Sequence, residues 1–251
     1  MAQQKGSVPI QGTIGNLTFF KSQDGYMVKT KSGVSKSKIM SDPNFKRTRE
    51  NMAEFGNAGK ASKVLRTPFN SLLQQSSDNR MISRLVALML KVIQSDTTGK
   101  RGKRDVLNGD LSILEHFDFN NKGILSATLI SPYDVTYTRA SGSLVLDLPS
   151  FVPTQGIAAP QGATHYKLQF AAAPVDFSTT KNIAGIAASS VLPWDDVATT
   201  ALTLPLSLTA ASTFPVFMLL QVQFFTQVNT DYYPLNNGAY NTCAIISIDT
   251  P

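Results

Sequence analysis

The chain has 251 residues, 42% of them hydrophobic and 16% charged, and a formal net charge of +6. The charged share is well below the ~25% of an average soluble domain, and this much apolar material excludes a wholly disordered chain. The single cysteine, Cys243, excludes an internal disulfide, no Cys/His metal spacing is present, and the longest apolar stretches (85–93 and 216–225) are too short and interrupted to span a bilayer.

Residues 1–15 lack the continuous apolar core of a signal peptide, so the chain is expected in the cytoplasm at synthesis. Export as part of a particle, by a route that needs no signal peptide, stays open. Residues 8–30 predict a β-hairpin turning at Asp24-Gly25, a dipeptide suited to positive φ. That turn sets Gln23 opposite Tyr26 and Lys21 opposite Val28. Phe19 then shares a face with Tyr26 and Val28, and Phe20 shares the other face with Met27. A free hairpin is marginal in water. One that is apolar on both faces needs cover from the helices, from the sandwich or from a neighbouring subunit. Residues 29–40, with Lys29, Lys31, Lys36 and Lys38, read as a basic linker.

Ser41-Asp42-Pro43 is a helix start: a capping side chain followed by a proline whose missing N–H costs nothing there. Phe45, Met52 and Phe55 recur at helical spacing as the expected buried side. Lys46, Arg47 and Arg49 fall at the helix end that disfavours cations, which hints at an external anion or at the intrahelical acids Glu50 and Glu54 as their partners. Gly56 and Gly59 predict a kink or break. A second helix is expected from Thr67-Pro68 to Gln75, and a third from a cap at Asp78 to about Gln94, with Arg80 and Arg84 on one face. The run Lys100, Arg101, Lys103 and Arg104 reads as a flexible basic loop with no aromatic interleaved. Phe117-Asp118-Phe119 is expected to plug the junction between the helical region and the C-terminal part of the chain.

From residue 123 the texture becomes that of an all-β sandwich. Strands are expected at 125–130, 135–138 and 144–148, and along Tyr166, Leu168 and Phe170. Further strands run along Leu202 to Leu208, Val216 to Phe224, and Ala244 to Ile248. Gln221 and Gln223 would face water. The fold class is therefore α+β. A hairpin arm with a basic linker (1–40) and a basic helical region (41–122) precede an immunoglobulin- or fibronectin-III-like sandwich (123–251). Trp194, in a Pro-rich connection, and the loop residues Tyr232 and Tyr233 are candidate surface aromatics for a glycan or protein.

Charge is unevenly spread. Residues 1–122 hold 20 Lys and Arg against 10 Asp and Glu, a net +10; residues 123–251 hold 3 against 7, a net −4. Such asymmetry points to an anionic partner or to attraction between neighbouring copies. His116 and His165 belong to no metal or triad motif, and no phosphate loop or nucleophile elbow occurs. Enzymatic activity, a cofactor, a metal and a small-molecule substrate are not expected.

Two stretches carry a resemblance. Gly12-Thr-Ile-Gly-Asn-Leu-Thr-Phe-Phe-Lys-Ser-Gln-Asp-Gly-Tyr26 and Ser41-Asp-Pro-Asn-Phe-Lys-Arg-Thr-Arg-Glu-Asn-Met-Ala-Glu-Phe-Gly56 resemble the N-terminal part of an uncharacterised family of Bacteroidota proteins. In that family a Gly-rich hairpin and a basic helix precede a β-sandwich. The resemblance implies a structural or particle component and no transferable activity. The expected function is a self-assembling structural protein, a homo-oligomer with subunit contacts through Phe19, Phe20, Tyr26 and Val28. The alternatives are nucleic-acid or polyanion binding through Lys46, Arg47, Arg49, Arg80, Arg84, Lys100, Arg101, Lys103 and Arg104, or glycan or protein recognition through Trp194, Tyr232 and Tyr233.

Overall fold

The computed structural model describes residues 1–6, 8–30 and 34–251. They form two compact units, Met1–Asn51 and Met52–Pro251. Lys31 of the basic linker lies outside the described residues.

The first unit holds β1 (Ala2–Gln3), β2 (Gly12–Ile14), β3 (Leu17–Ser22) and β4 (Gly25–Thr30), antiparallel in the order β1-β4-β3-β2. The expected hairpin is β3–β4, but its register is corrected. Lys21 faces Tyr26, Phe19 faces Val28 and Phe20 faces Met27. The loop is Gln23-Asp24, and the left-handed step falls on Gly25 at φ +105°. Ser22 explains the shift. Its Oγ accepts from the Asp24 amide (3.2 Å) and donates to the Gly25 carbonyl (3.1 Å), which closes the turn one residue early. The new pairing moves by an even number of residues, so the faces survive: Phe19, Tyr26 and Val28 on one side, Phe20 and Met27 on the other. Gln4 ties down the outer loop: its Nε2 donates to the carbonyls of Ile10 and Met27 (3.1 Å each), and its Oε1 accepts from the Ile10 amide (3.0 Å).

Part of the expected linker is helical. α1 (Lys36–Ser41) starts where Ser35 Oγ accepts from the Lys38 amide at 3.3 Å. Asp42 then caps a 3-10 turn, Pro43–Phe45, by accepting from the Asn44 amide at 2.9 Å. α2 (Lys46–Arg66) comes next and runs unbroken through Gly56 and Gly59, against expectation. A helical glycine costs only ~1 kcal/mol relative to alanine. Burial of Ala58, Ala61, Ser62, Val64 and Leu65 on the C-terminal half holds the helix together. Met52 (52% exposed) and Phe55 (59% exposed) are not the buried side that their spacing suggested.

In the second unit a 3-10 turn, Thr67–Phe69, leads to α3 (Asn70–Leu73), and α4 is Met81–Ser95. Residues 125–128 form a helical turn in place of the expected strand, because the Asp118 carboxylate accepts from the Leu125 amide at 2.8 Å and caps it. The strands are β5 (Asp134–Thr138), β6 (Ser143–Leu148), β7 (His165–Pro174), β8 (Gly185–Ala188), β9 (Leu192–Pro193), β10 (Leu202–Ser207), β11 (Val216–Val228), β12 (Asp231–Pro234) and β13 (Thr242–Asp249). One antiparallel sheet has the order β10-β6-β5. In the other, β11 and β7 are central: β12 and β13 pair with β11, and β8 and β9 with β7.

The second sheet is covered on both faces. Tyr166, Leu168, Phe170, Val216, Met218, Leu220, Val222 and Phe224 pack with Leu144, Leu146 and Leu148 of the three-stranded sheet. On the other face, Ala171, Ala173, Phe217, Leu219 and Ile245 pack with Leu65, Phe69, Leu72, Leu85 and Met89 of the helices. The helices from residue 52 onward and the sandwich therefore share one body. Gln221 and Gln223, expected in water, are buried under α3. Gln221 Nε2 donates to the Leu72 carbonyl (2.9 Å) and to Ser76 Oγ (2.7 Å), while Gln223 donates to Gln75 Oε1. Residues 116–119 extend this sheet along β13. The His116 and Phe119 amides donate to the carbonyls of Ile245 and Cys243 (2.8 Å each), and Phe117 and Phe119 enter the helical core.

Two measurements check this packing. Gln221→Ala removes two buried amide bonds, to the Leu72 carbonyl and Ser76 Oγ, and leaves a void beneath α3, so it should destabilise the body by about 2–3 kcal/mol in chemical denaturation; an unchanged midpoint would mean that the amide bonds nothing. A Cβ at Gly56 meets nothing within 4 Å, so Gly56→Ala should stabilise the chain by about 0.5–1 kcal/mol, and a loss of stability would contradict the continuous helix.

Candidate functional site

The first unit is the candidate site, because its physical chemistry is incomplete. Among its described residues none is buried. Phe19, Phe20, Tyr26, Met27 and Val28 are half-buried, and Ile10, Ile14, Leu17 and Met40 are exposed. A sheet of this size is stable in water when an apolar face is covered, and among the described residues no side chain on either face is fully buried. Lysines partly shield the rings: Lys21 Nζ lies 5.7 Å from the Tyr26 ring and Lys29 Nζ lies 5.4 Å from the Phe20 ring.

The unit is also strongly cationic. Residues 1–51 hold nine Lys and Arg against three Asp and Glu, a net +6. That equals the charge of the whole chain, so residues 52–251, with fourteen of each sign, are neutral.

Of the nine cations proposed for nucleic acid, Lys46, Arg47 and Arg49 belong to the first unit and the other six to the second. Arg47 pairs with Glu50 at 2.9 Å, and Arg49 Nη1 donates to the carbonyls of Ile39 (2.7 Å) and Asp42 (2.9 Å). Two of the three cations at the start of α2, Arg47 and Arg49, are thus answered from within the unit. In the second unit, Arg84 pairs with Asp78, donates to the Asp118 carbonyl (2.8 Å) and lies 5.0 Å from the Phe117 ring. Arg104 approaches the buried Glu54 at 3.9 Å. Arg80 and Arg84 stand at the start of α4, while Lys100, Arg101, Lys103 and Arg104 lie beyond its end. At 1.5 Å per residue those groups are roughly 22 Å apart along the helix.

The basic loop is ordered rather than flexible. Asp96, 2% exposed, accepts from the amides of Thr98 (2.8 Å), Gly99 (2.9 Å) and Asp105 (3.0 Å) and from Thr98 Oγ1 (2.7 Å). Glu54 accepts from the Gly102 amide at 2.8 Å. The hydrogen bonds to Asp96, that from the Asp105 amide foremost, hold its carboxyl well below the usual carboxylate range. The signal was present in the sequence as Asp96-Thr-Thr-Gly99, a side chain able to accept from its own following backbone.

The aromatic candidates separate as well. Trp194 packs on the sandwich core, and its indole N–H donates to the Ile157 carbonyl at 3.0 Å. Tyr232 and Tyr233 are exposed on β12, but as neighbours in a strand they point to opposite faces. Tyr232 stacks on His165 with ring centroids 4.7 Å apart. Among the described residues no group of three or more His, Cys, Asp or Glu could hold a metal ion, and no helix is long and apolar enough to cross a membrane.

No protein-family model matches the chain, and no curated protein or solved structure matches it.

Asp96 yields a pH-dependent expectation. Its folded pKa is depressed, so its contribution to stability is present above the unfolded value of about 3.9 and is lost as pH falls through the folded value. Asp96→Asn should lower the melting temperature at neutral pH, and the gap to the parent should close as pH falls below about 4. A gap that is constant down to acid pH would contradict the charged, fully bonded carboxylate.

Proposed function

We propose that the chain is a self-assembling structural protein whose cationic N-terminal sheet docks onto the sandwich of a second copy. The observation that carries this is the first unit's lack of any buried side chain among its described residues while it presents apolar groups on both faces. Burial of apolar area is the main favourable contribution to folding, and the unit has almost none of its own. The remaining edges of β3 and β4 flank only two or three paired residues of β2 and β1, which leaves backbone groups for strand addition.

Charge favours a second copy as the occupant. The first unit carries +6, whereas residues 123–251, which contain the sandwich, carry −4. A fibronectin-III-like assignment for that sandwich belongs to the same proposal. Counting β5, β6, β7, β8, β10, β11 and β13 as strands one to seven, strands one, two and five form one sheet and strands four, three, six and seven the other. That order supports a fibronectin-III-like sandwich, a type of module that recurs in assembled surface structures. The helical layer on its second sheet is an addition to that plan.

Confinement of the net charge to the first unit also favours a second reading, in which the same sheet grips a polyanion such as duplex DNA. The two readings separate in one set of measurements on the full chain. Light scattering and electron microscopy should show species larger than the 27.2 kDa monomer. Phe19→Ser combined with Phe20→Ser should weaken association at least tenfold, or about 1.4 kcal/mol. Raising salt from about 0.1 M to about 1 M shortens the screening length from ~10 to ~3 Å and should also weaken it. A strict monomer at high concentration in both salts overturns self-assembly. The polyanion reading needs a salt-steep shift of random duplex DNA, and no shift at low salt removes it.

A further inference from the structure

The second unit contains a cavity of about 240 Å³. It lies between the two sheets, where β9 ends and the chain crosses to β10. Leu168, Leu192, Leu202 and Val197 make much of its wall apolar. Two aromatic rings, Phe151 and Tyr166, also line it, with centroids 6.4 Å apart and planes inclined at 45°. One ionised group, Asp195, stands among them.

Thr199 and Thr200 also line the wall, and two of its polar members, Tyr166 and Asp195, are underused. Tyr166 is fully buried, yet its hydroxyl has no hydrogen-bond partner among the described residues. Buried hydroxyls are normally paired, and an unpaired one carries a cost. Burial, and after it the charge of Asp195, pushes the Tyr166 phenol up to about 12, so it stays neutral at physiological pH. Asp195 Oδ1 accepts from the Val197 amide at 3.1 Å, and the carboxylate has no cationic partner among the described residues. Arg139, one of only three cations in residues 123–251, is taken by Asp249.

A carboxylate and two aromatic rings in one largely apolar recess are the chemistry that selects a cation with an apolar body. The charge answers the carboxylate, the ring faces attract it through their quadrupoles, and the alkyl part replaces water against the leucines. We propose that this cavity is a binding site for a small alkylammonium ion, with the ammonium at Asp195 and the chain among Leu168, Leu192 and Leu202. The volume equals that of about eight liquid waters at ~30 Å³ each, enough for a hexylammonium ion. A neutral molecule of the same shape leaves the carboxylate unanswered, and an anion is repelled by it.

Trp194 is the only tryptophan in the chain and stands between two lining residues, Pro193 and Asp195, so its fluorescence reports on the cavity. The full chain is titrated with hexylammonium chloride, with 1-hexanol as the neutral control, and followed by Trp194 emission and calorimetry. Saturable binding of hexylammonium is expected, at least tenfold tighter than that of 1-hexanol. Asp195→Asn should remove that preference, and Tyr166→Phe should melt no lower than the parent while weakening hexylammonium several-fold. Thermal melts establish that both variants fold. Three outcomes each overturn the assignment: no saturable response up to about 10 mM, beyond which any affinity is weaker than ~3 kcal/mol; equal binding of amine and alcohol; or undiminished amine binding by a folded Asp195→Asn variant.

Discussion

Burial of β11 on both faces organises the second unit. Val216, Met218, Leu220, Val222 and Phe224 enter the core between the two sheets, while Phe217 and Leu219 enter the core beneath the helices. Neither layer can leave without exposing a row of large apolar side chains to water, at ~1.5–3 kcal/mol for each. Gln221 strengthens the link. Its amide adds a strand-to-helix bond to the Leu72 carbonyl at the end of α3 and a second one to Ser76 Oγ. Most contacts that define this body are therefore non-local, because the central strand lies some 150 residues after the helix it covers.

The first unit has the opposite character. Its order comes from short-range devices: the Ser22 turn, the Gln4 clamp, the Ser35 and Asp42 caps, and Arg49 closing on the end of α1. Each is local and contributes on the order of 1 kcal/mol, and none creates an interior. A fold that is specified in detail but has no core of its own is suited to completion by another surface. The same unit holds all of the net charge, so its lack of a core and its cationic character coincide.

In the neutral body, several arginines serve as cross-links instead of contacts for an external anion. Arg84 joins the start of α4 to the strip that extends β13, Arg104 reaches Glu54 on α2, and Arg139 joins the β5–β6 turn region to the end of β13 through Asp249. A guanidinium with several donors in a fixed plane suits this task better than an ammonium does.

Much of this protein was legible from its amino acids alone. The hairpin and its two faces, the helix start at Asp42-Pro43, the third helix and most of the strands come from alternation, spacing and capping, which act over a few residues. In the N-terminal ribbon, the sequence already marked Phe19, Phe20, Tyr26 and Val28 as apolar groups on an element too small to bury them, and none of them is buried. The unbroken run of apolar residues from 216 to 220 even marked a strand covered on both faces, although the two glutamines after it suggested one wet face. What only the tertiary structure decided is where distant groups meet: that Gln221 and Gln223 lie under a helix, that Glu54 and Asp96 fold the basic loop, that Gly56 and Gly59 sit inside a continuous helix, and that Tyr166 and Asp195 share one recess. A residue's neighbours along the chain fix its local geometry, whereas its burial, its charge partner and its cavity are set by side chains tens to more than a hundred positions away.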